Sequence, residues 1–217
     1  RLTWGGVALH AGNLPGFPAS HGCIRLPRGF SEALFEITDL GIPVIIADSK
    51  SQPETVVHPG LLLPPEAAEQ TAAAVVAASN RAGKDVDPAL DAHKHVSMVV
   101  SGADRTAIMM LGGSEVWRST IKIRGEGPLG DHVYKLMGPA ENGEGLEWLA
   151  HKIYTVDEGG EDPAAVLARI QIVDWPEAVE ILADLAPGST LVVTDLPATP
   201  ETRHEGGDFI IIRSEDA

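Results

Sequence analysis

Leu9-His10-Ala11-Gly12-Asn13-Leu14-Pro15-Gly16-Phe17-Pro18-Ala19-Ser20-His21-Gly22-Cys23-Ile24-Arg25-Leu26 joins two short apolar ends through a loop of Gly, Pro and small residues. His10 closes a strand-like run that begins at Leu2, and Cys23 stands on the far side of the loop. Such a loop brings its two ends face to face. A thiol attacks a carbonyl only as the thiolate, which requires a neighbouring base or cation. His10 is placed to be that base for Cys23. Gly22 permits a backbone that other residues resist, so that successive N–H groups beside the thiol can point at a developing oxyanion. Arg25 offers a guanidinium for a substrate carboxylate, or for bracing the loop.

Cys23 is the single cysteine of 217 residues. It therefore forms no intrachain disulfide and no Cys-rich zinc site. Its ordinary alternative is a buried, inert thiol, and that of His10 is a strand-end histidine satisfied by a carbonyl. A metal site of His10, His21 and Cys23 lacks a fourth protein ligand, and neither metal nor cofactor is expected. The formal charge is −15, which argues against nucleic acid as a partner, since clustered Lys and Arg are what track phosphates. With 44% hydrophobic but only 5% aromatic residues, aliphatic side chains must carry the packing. No apolar run reaches the roughly 18 residues of a membrane span.

Outward from the loop, Phe30, Leu34, Phe35 and Ile37 recur at helical spacing, and Gly41 marks the expected helix stop before a Val44-Ile45-Ile46 strand. Residues 49–92 contain Pro53, Pro59, Pro64 and Pro65 and an Ala-rich helix candidate from Glu66 to Ala82, and read as a connector. Strand patterns return at Val96–Val100, Ala107–Leu111 and Glu115–Ile123, with Gly112-Gly113-Ser114 as a hairpin turn. Glu141–Glu147 and Asp157–Asp162 read as solvated loops. The four tryptophans read as core, though Trp148, among Gly and Glu, has an exposed alternative. An internal repeat aligns Leu34-Phe35…Gly41 to Asp48 on Ile181-Leu182…Gly188 to Asp195 without gaps. Ile170 then stands opposite Cys23 and Ala168 opposite His21, so the second copy has no nucleophile.

A histidine followed after a short loop by Ser20-His21-Gly22-Cys23, an aliphatic residue and Arg25 resembles the signature of the L,D-transpeptidase (YkuD) catalytic domain. The resemblance is strong over residues 1–48 and weak, as a worn copy, further on. It implies an α+β, mostly β chain with the β-sandwich of that family. The partition is 1–48 as the C-terminal half of a catalytic domain, 49–92 as linker, 93–199 as a degenerate non-catalytic copy, and 200–217 as a tail with a terminal strand. It implies Cys23 as nucleophile and His10 as base, with the Ala11 carbonyl orienting the ring. Ser20, His21 and Gly22 shape an oxyanion loop, and Arg25 contacts substrate. Peptidoglycan stem peptides are the implied partners and carbapenems the implied inhibitors. Cys23 would form a thioester with a stem tetrapeptide and pass it to an amine, for crosslinking or protein anchoring in wall biogenesis. The rival readings are a non-catalytic envelope module and a cysteine hydrolase. A periplasmic or envelope location is implied, with the secretion signal or membrane anchor expected upstream of Arg1, together with the first strands of the domain.

Overall fold

Val96-Ser97-Met98-Val99-Val100-Ser101 is buried at every position but Ser97, as a central strand is when both sides are covered, with Val96, Met98 and Val100 on one face and Val99 between two serines on the other. The computed structural model describes residues 2, 6–17, 19–38, 44, 53–58, 62–63, 67, 71, 73, 96–111, 114–141, 145–153, 161–182, 185–198, 203–204 and 208–209. Its elements are β1 (Leu9–Ala11), β2 (Ile24–Leu26), α1 (Arg28–Ile37), β3 (Glu54–His58), β4 (Val96–Ser101), β5 (Thr106–Leu111), β6 (Ser114–Ile123), β7 (Asp131–Pro139), β8 (Leu146–Ile153), α2 (Pro163–Arg169), β9 (Ile170–Ile172), α3 (Trp175–Leu182) and β10 (Thr190–Thr194), with a small β11 (Arg203–His204) and β12 (Asp208–Phe209) ladder. The described chain is thus mostly β with few helices.

An eight-stranded sheet runs in the order β3-β8-β7-β10-β4-β5-β6-β9. Its pairings are antiparallel except for β10 beside β4, where Val192 stands opposite Val99. Strand alternation divides the side chains. Met98 and Val100 join Met109, Trp117, Tyr134, Leu136, Trp148, Leu191 and Val193 in the main core, whereas Val99 packs with Ile108, Met110 and Ala198 on the opposite face. In β6 the same period buries Trp117, Ser119 and Ile121 and exposes Val116, Arg118 and Lys122. Val166 and Leu167 of α2 and Ala178 and Leu182 of α3 cover the main face. Burial of each large side chain contributes on the order of 2 kcal/mol. Trp148 is fully buried rather than exposed.

Helix α2 starts where sequence chemistry dictates. The Asp162 carboxylate accepts from the N–H groups of Ala164 (2.9 Å) and Ala165 (3.2 Å), and Pro163 occupies a first-turn position that needs no donor. Helix α1 ends at Ile37, short of Gly41: Thr38 is extended, and its hydroxyl caps the Leu34 carbonyl at 2.7 Å. Gly41 lies outside the described residues, as do Gly112, Gly113 and most of the Ala-rich segment, of which Ala67, Thr71 and Ala73 are helical.

Three sequence readings are revised. The strand expected from Leu2 to His10 is confined, among the described residues, to Leu9–Ala11, since Gly6 takes a positive φ of 98° and bends the chain. The stretch read as connector contributes β3, which pairs with β8 (Val56 opposite Trp148), and Leu62, Leu63 and Ala67 are buried in the core. The loop read at Glu141–Glu147 gives way at Leu146 to β8, because Leu146 and Trp148 are core residues two apart on one face. As for the repeat, α1 and α3 begin at Arg28 and Trp175, which stand opposite one another in that alignment. Their preceding strands have different neighbours, β2 running parallel to β1 and β9 antiparallel to β6.

Candidate active site

The site lies on the ribbon of β1 and β2. These strands pair in parallel with Leu9 opposite Ile24, His10 opposite Arg25 and Ala11 opposite Leu26. The pairing extends one bond at either end, from Ile24 N–H to the Ala8 carbonyl (2.9 Å) and from Gly12 N–H to the Leu26 carbonyl (3.2 Å). Paired residues of a ribbon share a face, so His10 and Arg25 lie on the same side. Carried back two positions, the alternation brings Cys23, beside Ala8, toward that side as well.

His10 is exposed, and its Nδ1 is 2.9 Å from the Ala11 carbonyl. A carbonyl only accepts, so Nδ1 carries the proton in this bond and Nε2 is left as the basic nitrogen. Cys23 is half-buried, with its thiol 3.5 Å from the Gly6 carbonyl. The Ser20 hydroxyl donates to the Cys23 carbonyl at 2.6 Å and so closes the bend that holds His21 and Gly22. Gly22 has φ +121°, where L side chains are strained, and a Cβ there would lie 3.3 Å from Val7 Cγ2. His21 and Gly22 are exposed.

The Arg25 guanidinium donates to two carbonyls of the connecting loop, Ala19 at 2.8 Å and Asn13 at 3.3 Å. An open groove of about 560 Å³ beside the thiol is lined by Leu14, Phe17 and Ala19 of this loop and by Ser20, Cys23 and Arg25. His10 does not border the groove. Three neighbours of these residues stand out only in the structure: Gly12 beside His10 and Arg25, the Gly6 carbonyl beside Cys23, and Val7 beside Gly22. Only Gly12, two residues past the histidine, carries a local signal, a glycine at the strand's end.

Ile170, opposite Cys23 in the repeat, is a buried core residue. Among the described residues no group of three or more His, Cys, Asp or Glu is placed to hold a metal ion, and no helix is long and apolar enough to cross a membrane. No curated protein and no solved structure matches the chain. A family model does: YkuD, the L,D-transpeptidase catalytic domain, matches residues 1–46, the segment that holds β1, the Ser20-to-Arg25 motif and α1.

Proposed function

We propose that the chain is a peptidoglycan L,D-transpeptidase of the cell envelope, with Cys23 as nucleophile and His10 as base. The observation that supports the reading is the Nδ1 bond of His10 to Ala11, which leaves Nε2 to accept a proton, on a ribbon where His10 pairs with Arg25, two residues past Cys23. Nε2 takes the thiol proton. The thiolate attacks the carbonyl of the third residue of a stem tetrapeptide, and the oxyanion meets the N–H groups of His21, Gly22 and Cys23. Collapse breaks the amide bond, Nε2 returns the proton to the departing D-alanine amine, and the stem remains as a thioester. An acceptor amine then loses its proton to Nε2, attacks the thioester and regenerates the thiol. Residues 93–199 serve in this reading as a degenerate, non-catalytic copy.

The thiol rests against the Gly6 carbonyl, an arrangement equally suited to a module that binds stem peptides without turning them over. Intact-mass spectrometry after incubation with a carbapenem separates the two. A stoichiometric adduct is expected on the chain, absent in Cys23→Ala and formed at least about 100-fold more slowly in His10→Ala, the scale of general-base catalysis. An unmodified wild-type chain would overturn the transpeptidase in favour of the binding module. Product analysis on a dimeric stem substrate then assigns the acceptor as amine or, for a hydrolase, water.

A further inference from the structure

We infer that Arg25 is a positioning residue, bridging the two ends of the loop beside Cys23 so that the loop forms a standing wall of the groove, rather than a receptor for a substrate carboxylate. The functional part of the inference rests on the transpeptidase reading; the clamp itself does not.

Three observations converge. First, the guanidinium reaches the carbonyls of Asn13 and Ala19, where the loop leaves and where it returns. A planar fork with donors on separate nitrogens can bridge two such acceptors, whereas an ammonium offers one point charge. Second, none of the loop's described residues is a buried apolar anchor. Its described residues are exposed throughout, Leu14 at 57% and Phe17 at 67%. Ordering a residue without burial opposes about 1–2 kcal/mol of backbone entropy, so a tie between the loop's ends is what can hold its shape. Third, the stem of Arg25 has a seat. A Cβ on Gly12 would lie 3.2 Å from Arg25 Cδ, 3.4 Å from its Cγ and 3.6 Å from His10 Cε1. The arginine stem therefore crosses over a residue that has only hydrogen to offer, beside the proposed base. His10, Gly12 and Arg25 form one packed row on the ribbon face, and the loop is tied to that row.

The test uses the whole chain with two readouts. Backbone ¹⁵N order parameters of Gly16 and Phe17 are expected to be near the rigid value of about 0.85 in the wild type and to drop below about 0.6 in Arg25→Ala and Arg25→Lys. Gly12→Ala, which leaves Arg25 in place but displaces its stem, is expected to loosen the same amides. Unchanged order parameters in both Arg25→Ala and Gly12→Ala would overturn the clamp. Amide shifts of Leu9 and Ile24 report whether the ribbon survives each variant; should Arg25→Ala lose it, Gly12→Ala decides alone. For function, kcat/KM is compared on a stem tetrapeptide and on its C-terminal amide. A positioning residue predicts that Arg25→Ala lowers both by the same factor, about 10- to 100-fold. A penalty confined to the free acid would assign Arg25 to the substrate carboxylate and overturn the inference. If the wild type turns over neither donor, the transpeptidase reading fails, while the order parameters still decide the clamp.

Discussion

Two histidines of this chain illustrate how far a side chain's surroundings decide its use. His10 stands exposed at a strand end, one nitrogen held by the Ala11 carbonyl. His132 is fully buried in β7, its Nε2 3.0 Å from the Leu129 carbonyl and its Nδ1 without a hydrogen-bond partner. Tyr134 stacks on it at 6.0 Å between ring centroids. Burial holds the His132 ring below its ordinary pKa, and the Lys152 charge adds to this; the Leu129 carbonyl, Asp131 and Asp195 oppose it without reversing it. The consequence is a pH dependence of known sign. In the unfolded chain the ring titrates near about 6.5, whereas in the folded chain it takes a proton only at lower pH. Below about 6.5 the unfolded state therefore holds more protons, and stability falls as pH falls, by up to about 1.4 kcal/mol per pH unit from this ring, until the folded ring titrates too. The Tm of the wild type should drop more between pH 7.5 and pH 5 than that of His132→Gln. Equal drops would mean that the ring is not buried as a neutral base. Nothing in the sequence around His132 announced this: a histidine in the mixed strand Asp131–Pro139 is silent until the pairing is known. Cys23, by contrast, was legible, because a lone cysteine between Gly22 and a strand, thirteen residues after a histidine, is a chemical arrangement written in order along the chain.

Elements were read best where period and punctuation agree. β4, β5 and β6 followed from their aliphatic runs, and the register of β5 on β6 brings Leu111 opposite Ser114 across the glycine pair. β3 was not legible, because its five residues lie among prolines and its reason for being a strand is β8, some ninety positions away, whose Leu146 stands opposite His58. Helix α2 was missed although its start signal was present in Asp162-Pro163, for it is short and its buried face of Pro163, Val166 and Leu167 shows only against the sheet. That cap is open to test. Replacing Asp162 by Ala removes the acceptor for two N–H groups and should lower stability by about 1 kcal/mol, whereas Asp162→Asn or Asp162→Ser should retain most of it. Denaturation midpoints with an unchanged m-value check this. Loss of the cap should also loosen Arg169 at the other end of the helix, whose guanidinium binds the carbonyls of Arg124, Gly127 and Pro128 and the Glu161 carboxylate. Arg169 stands opposite Gly22 in the repeat, so the position that shapes the bend beside Cys23 in one segment anchors a loop in the other.

For the whole molecule, the family resemblance and the hydrophobic core fall on different parts of the chain. The family model matches residues 1–46, while the main core is drawn from Val56 onward. Helix α1 is amphipathic in sequence, yet it buries no residue, with Phe35 at 84% and Ile37 at 79% exposure. Ten residues of helix with no buried side chain are below the roughly 12–15 at which an isolated helix is even marginal in water, and a two-stranded ribbon is little better. The eight-stranded sheet, with Trp148, Tyr134, Met98 and Leu191 out of contact with solvent, carries the cooperative stability, on the order of 5–15 kcal/mol for a domain. Native-state hydrogen exchange should therefore divide the chain. Amides of β4, β5, β7 and β10 are expected to open only with global unfolding, and those of β1, β2 and α1 at a much smaller free energy, insensitive to core variants such as Leu191→Ala. Because the candidate nucleophile lies in the segment expected to be weakly protected, a ligand that acylates Cys23 and seats in the groove should raise protection in β1 and β2 while leaving the sheet unchanged. Should the α1 amides instead exchange only in global unfolding, the apolar face of α1 is covered in solution, and the site on β1 and β2 shares the stability of whatever covers it.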